Sequence, residues 1–188
     1  MSVRGAIVWF TGLPGSGKTT LARRLESRIA ASRAARVLDG DELRRTISND
    51  LGFSERDRAT HARRIGTLAR DLAHEGTFVI VAAITPYEAD REELRRRADE
   101  EGVPFALVFL DARVDVLASR DVKGNYRRAR AGELPHFTGI SDPYERPLHA
   151  DVTVNTEFEP PEVNEQRILE GLAVAGFAPI ASLLKREA

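Results

Sequence analysis

An apolar run, Ala6–Phe10, leads directly into Gly12-Leu13-Pro14-Gly15-Ser16-Gly17-Lys18-Thr19. An amphipathic pattern follows at once, with Leu21, Leu25 and Ile29 spaced every four residues. No other feature restricts the fold so tightly. The octet matches the phosphate-loop spacing Gly-x-x-x-x-Gly-Lys-Ser/Thr. Its glycines let successive backbone N–H groups curl around an anion, while the helix behind them points its positive end at it. The spacing assigns Gly12, Leu13, Pro14, Gly15, Ser16, Gly17, Lys18, Thr19 and Thr20 to the phosphates of a nucleotide such as ATP. Within that set Lys18 reaches the β- and γ-phosphates and the Thr19 hydroxyl ligates Mg²⁺. The bland alternative is a glycine-rich turn that merely joins strand to helix.

Further apolar segments repeat the strand signature: Phe78–Ile84, Phe105–Leu110 and the weaker Val152–Val154, with Val37–Leu38 before Asp39 as a fifth. Continuously apolar runs of this length suit strands buried on both faces of a parallel sheet. Helical spacing fills the gaps. Ile65, Leu68, Ala69 and Leu72 fall at i, i+3, i+4 and i+7 behind Ser54, an N-cap residue with Asp57 three positions on. Glu88–Glu101 is dense in charge and reads as a solvated surface helix, and a last helix runs from about Glu162 to Ala175. Strands alternate with helices over 188 residues without repeat or linker. That predicts one α/β domain over residues 1–188, a P-loop NTPase fold with a mainly parallel five-stranded sheet flanked by helices.

Charge and composition narrow the partners. The 28 basic and 29 acidic residues cancel to a net charge of -1. Nucleic-acid polymers and anionic membranes are thereby disfavoured, whereas small polyanions are not. Cys is absent, which excludes disulfide scaffolds, thiolate nucleophiles and Cys-based zinc sites. His74, His136 and His149 show no metal-ligand spacing, and Trp9 within the first strand reads as core. The longest apolar run, Phe78–Ile84, is too short to span a bilayer, and no apolar signal core precedes the first strand. The chain therefore reads as cytoplasmic.

A guanine reader needs Asn-Lys-x-Asp, and no Asn here is followed by Lys. A small-molecule kinase fits the length best. Phosphoryl transfer is mainly positioning and charge neutralisation, so the acceptor's binding groups should lie at carboxyl ends of strands. There the second strand runs into Asp39-Gly40-Asp41-Glu42-Leu43-Arg44. Two readings stand. In one, Asp41 accepts a hydroxyl proton or holds a metal-bound water, and Arg44, one turn on, faces an anionic group. In the other, Asp41 caps a short helix and Arg44 is solvated.

Asp39-Gly40-Asp41-x-x-Arg44 and Asp50-Leu51-Gly52-Phe53-Ser54-Glu55-x-Asp57-Arg58 together resemble the adenylylsulfate kinase family. So do Ile84-Thr85-Pro86-Tyr87, Lys123-Gly124-x-Tyr126, and the long stretch Ala129-Arg130-Ala131-Gly132-Glu133 through Phe137-Thr138-Gly139-Ile140 to Asp142-Pro143-Tyr144-Glu145. The resemblance covers nearly the whole chain in order. It implies transfer of the ATP γ-phosphate, with Mg²⁺, to the ribose 3′-hydroxyl of adenosine 5′-phosphosulfate (APS). It further implies that Asp41 and Lys18 are catalytic, and that Arg44, Phe53, Arg58, Ile84, Thr85 and Lys123 line the acceptor site. Phe137 would stack on the acceptor's adenine, and Asp41 would share the Mg²⁺ with Thr19 through water. Residues 120–142 become a lid whose cations (Arg120, Lys123, Arg127, Arg128, Arg130) close over polyphosphate, the alternative being a solvated basic helix. A homodimer, and association with a separate ATP sulfurylase, belong to the same implication; a fused sulfurylase is not expected in this chain.

Three positions depart from the family's pattern: His61 for the usual Asn, Glu88 for Arg, and Asn125 for Leu. His61 lies three residues from Arg58 on one helix face, so it is expected to point at the acceptor. The departures motivate two alternatives: a related kinase for another nucleotide-linked acceptor, and a non-catalytic nucleotide-binding regulator. An intact Lys18, Thr19 and Asp41 count against the second.

Overall fold

Every residue of β1 (Ala6–Thr11) is buried, and the alternation of its side chains explains the layers on either side. Ala6, Val8 and Phe10 share a core with Leu21, Leu25 and Ile29 of α1 (Lys18–Ala30) and with Ile168, Leu169 and Leu172 of α7 (Pro161–Val174). Ile7 and Trp9 face the other way. They meet Ala62, Ile65 and Ala69 of α3 (Glu55–His74) and Leu94 and Ala98 of α4 (Glu88–Glu100). The computed structural model describes residues 5–121 and 123–180. In it β2 (Ala35–Asp39), β3 (Phe78–Ala82), β4 (Phe105–Asp111) and β5 (Val152–Asn155) join β1 in a five-stranded sheet of order β2-β3-β1-β4-β5. Each pairing is parallel. Short helices α2 (Gly40–Arg44), α5 (Val114–Ser119) and α6 (Asn125–Arg130) occupy connections at the carboxyl end of the sheet.

The strand order puts the reversal of chain travel at β1. After β1 the chain crosses to β2 and returns through β3, then passes to β4 on the opposite side. Ligands of such sheets bind beyond the carboxyl ends of the strands at that reversal, which is where the phosphate loop leaves β1.

The apolar runs and the strands differ at their ends for identifiable reasons. β3 stops at Ala82 although the run continues to Ile84. The chain bends inward there: Thr85 sits at φ 43°, and the Thr11 hydroxyl donates to the Ile84 carbonyl at 2.6 Å. β2 is longer than Val37–Leu38 because it is an edge strand, whose Arg36 can remain exposed while Leu38 and Asp39 are buried. β5, the other edge, alternates buried Val152 and Val154 with exposed Thr153 and Asn155. The charge-dense helix α4 is less solvated than its composition suggests. Arg91, Leu94 and Ala98 form a buried stripe along it. Ser54 caps α3 as its spacing predicts, accepting from the Asp57 N–H at 3.2 Å. No helix among the described residues is long and apolar enough to cross a membrane.

Candidate active site

Close packing and positive φ explain the loop's glycines. A Cβ on Gly12 would lie 2.7 Å from the Leu110 carbonyl oxygen, and Gly17, the N-cap of α1, has φ 92°. Lys18 folds back along the loop, donating to the Gly12 and Leu13 carbonyls at 2.9 and 2.8 Å. Burial lowers its pKa to about 8, against the opposing pull of the Asp41 and Asp39 carboxylates. Thr19 and Thr20 are exposed on the first turn of α1.

Asp39, rather than Asp41, organises the end of β2. One carboxylate oxygen accepts the Thr19 hydroxyl at 2.7 Å. The other caps α2, accepting from the N–H groups of Asp41 at 2.9 Å and Glu42 at 3.2 Å. This corrects the reading in which Asp41 is the cap: an N-cap carboxylate must precede the N–H groups it satisfies, and Asp39 is the residue that does. Asp41 is exposed, and its carboxylate accepts no hydrogen bond among the described residues. Asp39 was in view as one of two strand-end carboxylates; only the Thr19 contact, across 20 residues, reveals its second duty.

Arg44, Phe53 and Arg58 come together. The Arg44 and Arg58 guanidinium carbons lie 4.9 and 5.6 Å from the centre of the exposed Phe53 ring. Arg44 donates to the Gly52 carbonyl at 2.7 Å and Arg58 to that of Phe53 at 3.0 Å. Arg58, itself buried, also reaches the 136–142 segment: it bonds the His136 carbonyl and pairs with Asp142 at 3.6 Å. The acceptor side and the segment expected to close over it are therefore in contact.

Other expected acceptor residues are placed differently. His61 is buried, and both ring nitrogens are engaged, Nδ1 with Ser48 Oγ at 2.9 Å and Nε2 with the Gly40 carbonyl at 3.1 Å. Burial, reinforced by Arg44, lowers its pKa to about 4. Thr85 is buried too. Its hydroxyl accepts from Trp9 Nε1 at 2.9 Å, and its carbonyl accepts from Arg91 at 2.7 Å, so the polar atoms of its side chain and its carbonyl are turned into the protein, while Ile84 beside it is half-buried. Trp9 is core, as expected, but with a polar duty that apolar patterning cannot show. Phe137 is half-buried, edge-on to Tyr126 with ring centres 5.0 Å apart. The Tyr126 hydroxyl donates to the Pro14 carbonyl at 2.7 Å, tying α6 to the phosphate loop. Lys123 is exposed and makes no ion pair among the described residues.

The charge departures have structural partners. Glu88 accepts from Arg91 Nε at 3.0 Å and from the Leu148 N–H at 3.1 Å, so it neutralises a buried guanidinium. Arg120 donates to the Thr156 and Glu157 carbonyls and so anchors the loop after β5 instead of adding to the lid's cations. Arg128 pairs with Glu133 and Arg130 with Asp115. Asn125 opens α6, where Asp121 accepts its N–H at 2.9 Å. A cavity of about 710 Å³ lies beside these elements, between the β4–α5 turn and residues 139–146. Of the expected binding residues only Leu13 lines it.

A phosphate loop at the reversal point of an all-parallel β2-β3-β1-β4-β5 sheet, faced by strand-end carboxylates, defines a P-loop kinase. Comparison with known proteins sharpens the class. The family model described as adenylylsulphate kinase matches residues 4–155, and the chain belongs to that family. An adenylyl-sulfate kinase of Myxococcus xanthus is 50% identical over 178 residues, covering 95% of this chain and 96% of that protein. A probable bifunctional SAT/APS kinase of Sorangium cellulosum is 46% identical across 93% of this chain, which spans 30% of that protein. Among solved structures, the Mycobacterium tuberculosis APS kinase in complex with AMPPNP and APS superposes with a TM-score of 0.87 at 41% identity, covering 90% of this chain and 98% of that one.

Proposed function

We propose that this protein phosphorylates the ribose 3′-hydroxyl of APS at the expense of ATP, releasing ADP and 3′-phosphoadenosine 5′-phosphosulfate. One geometric observation carries the reading. Arg44 and Arg58 flank an exposed aromatic ring, and Arg44 lies one helical turn beyond the exposed carboxylate of Asp41. A sulfate–phosphate anhydride calls for paired cations and a nucleoside for an aromatic face.

The residues divide the work. The backbone of Gly12–Thr20 cradles the triphosphate, and Lys18 exchanges its bonds to the Gly12 and Leu13 carbonyls for phosphate oxygens. Arg44 and Arg58 hold the anhydride, Arg58 releasing the His136 carbonyl to do so, while Phe137 stacks on the adenine and Lys123 adds charge from the lid. Asp41 takes the 3′-hydroxyl proton as the new O–P bond forms and the bond from the γ-phosphorus to the bridging oxygen of ADP breaks. The adjacent oxygens of Thr19 and Asp39, with Asp41 nearby, are hard donors that suit Mg²⁺, an ion that takes few protein ligands and completes its shell with water and phosphate oxygens. When bound, that ion neutralises charge between the β- and γ-phosphates. A cytoplasmic homodimer is part of this reading, and docking to a separate ATP sulfurylase is supported by the bifunctional Sorangium relative.

His61 and Glu88, the departures that favour another acceptor, both spend their polar atoms inside the protein. The test is ADP release with APS against a panel of other nucleotides. APS-dependent release supports the reading; turnover of another nucleotide without turnover of APS rejects it.

A further inference from the structure

His61 is buried on α3, and it touches the turn that carries both strand-end carboxylates. A carbonyl oxygen can only accept, so the nitrogen facing Gly40 must carry the proton. That fixes the Nε2–H tautomer, and Nδ1 is left to accept the hydroxyl of Ser48, a residue with no solvent exposure. Burial keeps this ring neutral, and Arg44 and Arg64 oppose its protonation, while the Gly40 carbonyl and Asp41 favour it.

Gly40 is held from its other side as well. A Cβ there would lie 3.2 Å from the Ala83 side chain and 3.3 Å from the Ala82 carbonyl oxygen, so the peptide is already pressed against the end of β3. The Asp39 carboxylate holds the next N–H, that of Asp41, at 2.9 Å. Packing, cap and imidazole thus fix the backbone that aims the Asp41 side chain. We infer that His61 is a positioning residue for Asp41, acting through the Gly40 carbonyl, which sets its tautomer, and that Ser48 holds the ring in place at Nδ1. His61 contributes to the transfer step rather than to holding the acceptor. The inference rests on the proposed kinase reading, and its test separates the two.

Steady-state kinetics with ATP and APS on His61→Leu, His61→Gln and Ser48→Ala provide that test. Gln places an amide N–H near the position of Nε2–H, whereas Leu fills the space without a donor. His61→Leu should lower kcat about tenfold or more, because small misplacement of a reacting group is costly, and leave both KM values within about twofold. His61→Gln should recover most of that loss, and Ser48→Ala should lower kcat in the same direction by less. A KM for APS that rises while kcat holds, or a His61→Leu enzyme equal to the parent, overturns the inference. If His61→Leu does not fold, the ring nitrogens of the parent protein decide by ¹⁵N NMR at pH 7. A neutral Nε2–H ring supports the inference, and an Nδ1–H or cationic ring overturns it. If the parent enzyme itself does not turn over APS, the kinase reading fails, while the NMR result still judges the tautomer.

Discussion

Lys18 should make nucleotide binding consume protons. Its pKa of about 8 in the free protein, against 10.5 for an unperturbed lysine, comes chiefly from burial and is only partly offset by Asp41 and Asp39. A bound phosphate supplies the missing counter-charge and restores the proton. The free protein is about nine-tenths charged at this lysine at pH 7 and about one-tenth at pH 9, so affinity for ADP should fall roughly tenfold between them. At pH 8 about half a proton should be taken up per ADP bound. Titration calorimetry at pH 8 in two buffers of different ionisation heat reads that uptake, and Lys18→Met should abolish both uptake and slope. The sign for folding is opposite. The unfolded chain holds this proton up to pH 10.5 and the folded one only to about 8, so this lysine's contribution to stability rises with pH across that window. Flat ADP affinity from pH 7 to 9 with no proton uptake would refute the reasoning.

Three substitutions probe other parts of the account. Glu88→Ala leaves the buried Arg91 guanidinium with the Thr85 and Glu145 carbonyls and the Tyr144 ring but no carboxylate partner among the described residues, which should cost about 3 kcal/mol. Scanning calorimetry at pH 7 should show the melting temperature lowered by roughly 6–12 °C, and an unchanged value would remove Glu88 from that pairing. Phe137→Ala should raise the KM for APS roughly tenfold, the scale of base stacking, with a smaller effect on the KM for ATP; equal effects count against stacking. Asp41→Ala should retain ATP affinity in an equilibrium binding assay yet lose about 10²–10⁴ in kcat, and near-parental turnover would strip Asp41 of its role.

What could be read in advance was what local spacing encodes. Gly12 to Thr19, the Ser54 cap and the apolar core of β1 each carry their physical reason within a few adjacent residues, and the structure has them where spacing puts them. Misplaced or missed features depend on partners far along the chain. Nothing near Asp39 foretells the Thr19 hydroxyl, nothing near Thr85 foretells Trp9, and Arg91 reads as solvent-facing until Glu88, Thr85 and Glu145 surround it. His61 is the sharpest case. Helical spacing correctly puts it on the Arg58 face of α3, but its direction was set by a carbonyl 21 residues earlier. The apolar run through Ile84 overstated β3 for a related reason. Hydrophobicity reports burial, and the Ile84–Thr85 turn is held inward by side chains of β1 and α4 rather than by strand pairing.

The central claim is that APS is held with its 3′-oxygen at Asp41 and its anhydride on the two arginines. A crystal structure with ADP and APS tests it directly. The account predicts the ribose 3′-oxygen within hydrogen-bond reach of the Asp41 carboxylate, the sulfate group against Arg44 and Arg58, and the adenine on the Phe137 face. APS lodged instead in the cavity between the β4–α5 turn and residues 139–146, with its 3′-oxygen away from Asp41, would contradict it.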